Sequence, residues 1–377
     1  MTETTEFRPV PSDLGEHELL VNMGPSHPST HGVLRVVLRV DGEKIVGTEP
    51  DVGFLHRCFE KMCEGWTYPQ IVPLTDRTDY LSPMTCELAY VTAVEKMAGI
   101  EVPERAHWLR VIMAELQRIA SHLVWFGSLG NDLGATSPFI YALREREHVM
   151  DLFEAVSGAR LTYSYMRLGG VRQDLVPGFA DKARAFLKLM PGRIREYENL
   201  FMKNAIFLAR SKGVGKFSAQ QAIAYGASGP VLRASGVDFD LRRDEPYAAY
   251  ARFKFDVPLG SQGDVYDRAV CRFGELRASL DIIGQALDGL PGGDVLVKVP
   301  KVLKLPEGDA YSRVESPRGE VGLYIVSDGG ASPYRLKWRA PSFVHLESLA
   351  LMCDGYMVAD VVANIAALDI VLGEVDR

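Results

Sequence analysis

Residues 103–126, PERAHWLRVIMAELQRIASHLVWF, constrain the fold more than any other stretch. Trp108, Val111, Ile112, Leu116, Ile119, Leu123 and Phe126 recur at the three-four spacing of one buried helical face. The same rhythm predicts helices over 85–97, ended by Gly99, and over 139–156, opened by Ser137 as N-cap and Pro138 at the first helical position. Further helices are expected at 180–189, 193–208, 219–225 and 264–290. The middle of the chain, residues 71–290, therefore reads as a helical bundle.

The two flanks differ in character. Residues 1–18 are acidic and proline-containing, an extended arm; 19–23 and 33–40 alternate as strands, and Asp41-Gly42 is a hairpin signal leading to a third strand over 44–49. Residues 54–64 have helical composition ended by Gly65, and 69–83, PQIVPLTDRTDYLSP, are too proline-rich for a regular element. Beyond the bundle, 291–317 loses periodicity and is expected to be connector. Strands follow at 320–326 and 334–338 around SDGGASP, then helices at 342–351 and 358–368. The expected class is α+β: a central helical bundle with a small antiparallel sheet shared by N- and C-terminal strands, the chain dividing at 1–70, 71–290 and 291–377.

Hydrophobic residues make up 47% of the chain and charged residues 24%, a globular balance. A net charge of -7, with no long Lys/Arg run, argues against nucleic acid as a partner. Cys58, Cys63, Cys86, Cys271 and Cys353 include no CxxC pair, which points to a reducing compartment. The acidic start does not read as a signal peptide, and the least charged stretch, 119–143, is broken by His122, Asn131, Asp132, Pro138 and glycines, so no membrane span is expected. If the chain works at a membrane, other subunits hold it there.

Residues 24–32, GPSHPSTHG, carry the first candidate chemistry. Pro28 lies between His27 and His31, so a regular helix cannot place both on one face, and the segment is a loop hung from the strand that follows. It is either a turn with two surface histidines or a rigid support for a proton donor. Phosphate-cradling motifs fail: SKGVGKF has Phe217 after Lys216 where a P-loop needs Ser or Thr, and no GxGxxG joins a strand to a helix. Cys58 and Cys63, in an expected helix, face nearly opposite azimuths and read as buried inert thiols, with no metal site. Arg144 to Glu147, RERE, reads as a solvated face with pairs such as Arg144 to His148, and RLGGVRQD, starting at Arg167, as a turn between helices. Asp132, among glycines between apolar helices, is a helix-end cap or a buried partner for a cation.

In order along the chain, GPSHPSTHGVLR, GFLHR, PLTDRTDYL, RVIMAELQRIASHL, ALRERE, RLGGVRQDL, LRASGVD, FDVPLG, GDVYDR, SDGG, RAPSF and LDIVLGEVDR together resemble the D subunit of proton-pumping NADH:quinone oxidoreductase, respiratory complex I. The resemblance runs from about residue 20 to the last residue. It implies a peripheral-arm subunit just above the membrane, on the cytoplasmic side of the bacterial inner membrane, active only in the assembled complex. Quinone would be the substrate, bound between this chain and a B subunit whose terminal 4Fe-4S cluster supplies electrons; this chain would hold no cofactor and no metal. A C subunit, the membrane-arm H subunit and other peripheral-arm subunits would be further partners. His31 and Tyr80 would face the quinone headgroup, Asp132 would stand behind the histidine, and His27 would be structural support. Two alternatives stay open: the same role in a ferredoxin-fed or other non-NADH quinone oxidoreductase, and a scaffold that has lost the site.

The family also resembles the large subunit of nickel-iron hydrogenases, which hold their metals with two CxxC pairs. Val371 and Glu374 stand where the C-terminal thiolates would be, and the early region around PLTDRTDYL has no cysteine, so a nickel-iron centre has no ligands here. Three departures from the family are expected to matter. Thr162 occupies the place of a titratable histidine near the terminal cluster, which weakens redox-linked protonation there. Cys58 replaces the glycine of HRG, and the connector 290–314 is short.

Overall fold

The computed structural model describes residue 15 and residues 17–377. Of the arm expected at 1–18, residues 1–14 and 16 lie outside the described residues. Three strands open the chain: β1 (Glu18–Met23), β2 (Arg35–Asp41) and β3 (Lys44–Asp51), paired antiparallel in that order. Val36, Leu38 and Val40 alternate inward along β2, and Asp41 pairs with Lys44 across the hairpin signalled by Asp41-Gly42. Helices α1 (Phe59–Gly65), α2 (Tyr68–Thr75), α3 (Pro83–Ala98), α4 (Glu104–Asp132) and α5 (Ser137–Ser157) follow. A short hairpin, β4 (Met166–Arg167) and β5 (Gly170–Val171), precedes α6 (Phe179–Tyr197), α7 (Ala205–Ser211), α8 (Ala219–Ala224), α9 (Gly229–Ala234), α10 (Leu241–Asp244) and α11 (Val265–Gly289). The chain closes with β6 (Gly308–Ser316), β7 (Gly319–Ser327), β8 (Arg335–Arg339), α12 (Pro341–Glu347), α13 (Leu349–Cys353), α14 (Val358–Leu368) and α15 (Leu372–Asp376).

The α+β class stands, but the strands do not share one sheet. N-terminal and C-terminal strands form separate three-stranded antiparallel sheets, β1-β2-β3 and β6-β7-β8, joined to the bundle by different cores. The larger core gathers Leu109, Ile112, Leu116, Ile119 and Leu123 of α4 with apolar residues of α3, α5, α6 and α11 and the inner face of β7. The smaller one packs Val36, Leu38, Val40 and Ile45 of the first sheet against Leu346, Leu349, Met352, Val361, Ile365 and Leu368. The two ends of the chain are thereby held together by apolar burial.

Several local expectations change. Half of the stretch 69–83 is helix: Thr67 and Gln70 form a capping box, and Pro69 sits in the first turn, where no N–H is needed. The helix expected over 54–64 begins only at Phe59, because the preceding backbone is taken up by the C-terminus. Gly53 and Leu55 N–H groups bond the Asp376 carboxylate at 2.8 and 2.6 Å, and Arg57 and Phe59 N–H groups bond Arg377 O. Helix α6 runs through Pro191 into a π-turn (Glu198–Met202). Glu145 of RERE is buried, bridging Arg144 at 2.5 Å and Arg193 at 2.9 Å. RLGGVRQD is the β4–β5 hairpin, clamped by Arg110, which reaches Glu95 and the Gly170 and Arg167 carbonyls. The expected connector contains β6, whose period was hidden by charge: Glu315 points inward to Arg233 at 2.9 Å.

That last pair belongs to a buried ionic cluster at the centre of the bundle. Arg118, Arg233 and Arg242 face Glu115, Asp240, Glu275 and Glu315, all essentially without solvent exposure. Burial alone would raise the Glu115 carboxyl, but Arg118 and Arg242 outweigh it and hold it below its ordinary value. His122, 2.8 Å from Glu275, is pushed down to about 4 by burial against that partner's pull. Removing one member leaves uncompensated buried charge. Arg242→Met, which leaves Asp240 only Arg233 and Glu115 only Arg118, is expected to lower stability by about 3 kcal/mol; chemical denaturation of the purified chain measures it.

The cysteines divide more sharply than their spacing predicts. Cys63, Cys86, Cys271 and Cys353 are buried, but Cys58 is exposed at the N-cap of α1, outside the helix, with φ of 57°. Burial pushes the Cys63, Cys271 and Cys353 thiols up to about 12. Titration of the native chain with a thiol reagent is expected to show one fast cysteine, lost in Cys58→Ser, and four that react only on unfolding.

Candidate functional site

The histidine loop is fixed at its base by backbone bonds. A single 3₁₀ turn (Pro28–Thr30) packs on α14; buried Thr30 donates its hydroxyl to His27 O at 2.8 Å, and His27 bridges Gly32. His31 adopts a left-handed φ of 52°, which turns its ring out of the strand direction. Its Nε2 lies 3.0 Å from Asp132 Oδ2, both largely buried, although neither atom is aligned for a direct hydrogen bond. Asp132 is the last residue of α4. A carboxylate at a helix C-terminus meets the negative end of the helix dipole, so a cationic imidazole is the partner that suits it. Asp132 thus both ends α4 and lies beside His31.

Tyr80 is carried by the loop 76–82 between α2 and α3. Asp76, Thr78, Asp79 and Ser82 are fully buried, whereas Tyr80 keeps 37% of its surface. Asp79 organises the turn: Oδ1 accepts the Leu81 and Ser82 N–H groups at 3.0 and 3.3 Å, and Oδ2 accepts the Ser82 hydroxyl. Behind Tyr80 lies Gly373 of α15. A Cβ there would come 2.6 Å from Thr78 O and 3.3 Å from the Tyr80 ring, so only glycine lets the loop and the tail meet this closely. Burial and the neighbouring Asp79 charge raise the phenol above its ordinary value, making it a hydrogen-bond donor before a proton source.

Residues that the sequence did not single out connect the histidine and tyrosine loops. Arg318, on the two-residue turn between β6 and β7, bonds Asp79 at 2.6 Å, Asp369 at 3.4 Å and Ser121 of α4 at 3.2 Å. Asp369 is raised by burial, and Arg318, Arg272 and, more weakly, His31 pull it down, so the histidine and the tyrosine loop act on one carboxylate. Glu374 is pushed up to about 8 by burial and by Asp79. The signal for these residues was present as charges inside apolar runs: Asp369 and Glu374 in LDIVLGEVD, and Arg318 in SPRGE.

Val371 and Glu374, at the positions of the hydrogenase thiolates, are buried here, with Glu374 Oε1 accepting the Ser342 N–H at 3.0 Å. Among the described residues no three His, Cys, Asp or Glu side chains converge as metal ligands, and no helix is long and apolar enough to cross a membrane. Thr162 has a φ of 54° and is half-buried, its hydroxyl donating to Leu161 O at 2.7 Å. A groove of about 570 Å³, with an apolar floor including Val72, Leu168 and Val297 and a rim of Arg167, Arg172, Lys298 and Lys301, contains neither His31 nor Tyr80.

Comparison with known proteins converges on one family. The NADH-quinone oxidoreductase D subunit numbered 2 of Koribacter versatilis is 51% identical over 384 aligned positions, covering 95% of this chain and 96% of that protein. Its namesake from Symbiobacterium thermophilum is also 51% identical, over 96% of this chain and 98% of its own length. The NADH-quinone oxidoreductase D subunit of Bacillus anthracis is 52% identical, over 95% of this chain and 98% of its own length. Residues 132–377 match the family described as the 49 Kd subunit of the respiratory-chain NADH dehydrogenase. With half of its residues shared across almost the whole length, the chain belongs to the 49 kDa, or D-type, family of NADH-quinone oxidoreductase subunits.

Proposed function

We propose that this chain is the peripheral-arm subunit that forms one wall of the quinone headgroup site in a proton-translocating NADH:quinone oxidoreductase. The observation that carries the proposal is that two donors are each held on a fixed support: His31 lies 3.0 Å from Asp132 on a loop packed against α14, and Tyr80 packs on Gly373 of α15. Quinone reduction needs two electrons and two protons, and each carbonyl gains from a donor held at the oxygen where charge develops. An imidazole can both donate and accept a proton, and the Asp132 carboxylate 3.0 Å away fixes the orientation of the His31 ring. Tyr80 polarises the other carbonyl. The electrons come from outside this chain, from the terminal 4Fe-4S cluster of a B subunit that packs against the same face. The C subunit, other peripheral-arm subunits and the membrane-arm H subunit then fix the complex at the cytoplasmic side of the inner membrane.

Tyr80 is exposed enough to meet a ligand, and both it and the largely buried His31 are held too firmly to be loop filler, which favours this reading over a scaffold. The test is NADH-driven quinone reduction in the purified complex, with NADH-ferricyanide activity as the assembly control. His31→Ala is expected to lose about a hundredfold or more in quinone reduction while ferricyanide reduction persists. Tyr80→Phe, which deletes one hydrogen bond and the proton that the hydroxyl carries, is expected to raise the quinone KM by roughly three- to tenfold and to lower kcat by about tenfold or more. If both variants reduce quinone as the wild type does, the headgroup site lies elsewhere. Wild-type complex inert with NADH in both assays would point to a different electron donor.

Asp132→Asn keeps the shape of the side chain and removes its charge. It is expected to slow quinone reduction about tenfold with assembly unchanged. Full activity in this variant would remove Asp132 from the proton-handling group.

A further inference from the structure

Glu374 is a buried acid without a committed partner. It has no solvent exposure and makes no ion pair within 4 Å among the described residues; Oε1 accepts the Ser342 N–H at 3.0 Å, and Oε2 has no aligned hydrogen-bond donor. The nearest cation, Arg318, is engaged by Asp79 at 2.6 Å and by Asp369 at 3.4 Å. A carboxyl so placed, between buried Val371, Leu372 and Val375, is held as the neutral acid. The preceding residue, Gly373, lies under the Tyr80 ring.

We propose that Glu374 is the internal proton store of the quinone site, reloading Tyr80 after the tyrosine has given its proton to reduced quinone. This inference rests on the headgroup reading above. The transfer balances within the chain: the Glu374 acid loses its O–H proton and becomes a carboxylate, and the Tyr80 phenolate gains that proton and becomes the phenol. The two electrons have already gone to quinone from the partner's iron-sulfur cluster. The direction is downhill, since an acid titrating at about 8 faces a phenol raised above its ordinary value near 10. The new carboxylate then meets the field of Arg318, the cation that acts on it most strongly.

The groups facing Glu374 come from four elements. Asp79 approaches from the loop 76–82, Cys86 from α3, Arg318 from the β6–β7 turn and Ser342 from α12; Tyr80 and Asp369 share the same Arg318 guanidinium, and Arg57 reaches the neighbouring Gly373 carbonyl at 3.2 Å. Burial is the largest influence and Asp79 the second, both favouring the acid, with Arg318 opposing them. The store is therefore full below about pH 8 and empties as pH rises through that value.

The experiment is the pH profile of quinone reduction by the assembled complex with a short-chain quinone, in wild type, Glu374→Gln and Glu374→Asp, with ferricyanide reduction as control. Wild type is expected to lose activity through about pH 8. Glu374→Gln is expected to show kcat lowered roughly tenfold, less than loss of a group touching the substrate. Its KM stays unchanged and its alkaline limb near pH 8 disappears, whereas Glu374→Asp restores a limb at a shifted pH. Wild-type kcat with the same limb in Glu374→Gln overturns the proposal. If Glu374→Gln does not assemble, Glu374→Asp decides: a shifted limb supports the store, and a limb identical to wild type refutes it. Impaired Tyr80→Phe beside unaffected Glu374→Gln removes the store alone; unaffected Tyr80→Phe removes the headgroup reading and the store together.

Discussion

The guanidinium of Arg318 has no contact with solvent, and three parts of the chain depend on it. It joins Asp79 of the tyrosine loop, Asp369 at the start of the C-terminal tail and Ser121 in the middle of α4. An arginine in that position is costly to desolvate, and the cost is offset only when its donors are satisfied by acceptors of fixed geometry. The turn that carries it can reach so deep because two glycines meet there: a Cβ on Gly229 would stand 2.4 Å from Gly319 Cα. Backbone proximity at α9 therefore sets the depth of Arg318, and Arg318 sets the position of the tyrosine loop. Loss of the cation would leave Asp79 uncompensated and Asp369 with only the more distant Arg272, a penalty of about 3–5 kcal/mol by the usual scale of broken buried pairs.

The tail is the second half of the same construction. Asp376 and Arg377 accept backbone N–H groups from Gly53 through Phe59, and Gly373 lies under Tyr80. The histidine loop joins through the 3₁₀ turn on α14 and through the field of His31 on Asp369. Residues from the two ends of the chain thus share one small volume, with apolar burial of the first sheet against α12 to α14 supplying the cohesion. Polar contacts alone would specify the arrangement without stabilising it.

Helices were legible wherever one face repeated cleanly: α3, α4, α5 and α11 stand where the three-four spacing placed them, and β1 to β3 follow the alternation of the first sheet. Reading failed where charge sits inside. Glu315 broke the period of β6, Glu145 looked solvated, and proline content concealed α2 although its capping box was written in Thr67 and Gln70. The candidate site shows the same division. The histidine loop and Asp132 stood out as residues, and the family resemblance added Tyr80 and joined His31 to Asp132, which lie 3.0 Å apart. Arg318, Asp369 and Glu374 carry no motif that periodicity can detect, because their partners are distant in sequence and the register of a buried ion pair is a tertiary fact.

The replacement of thiolates at the C-terminal segment gives the site its chemical character. A hydrogenase-like cradle with cysteines at the positions of Val371 and Glu374 would hold a metal and keep the surrounding carboxylates ionised against its charge. With valine and glutamate there instead, the cluster has no metal charge to balance, and the burial that would have enclosed a metal raises a carboxyl into the neutral range. The tail threaded under Tyr80 and the arginine inserted between acids bring a phenol, two carboxylates and a guanidinium into one buried volume. What this chain fixes is the placement of Tyr80, Asp79, Asp369 and Glu374 around one buried arginine.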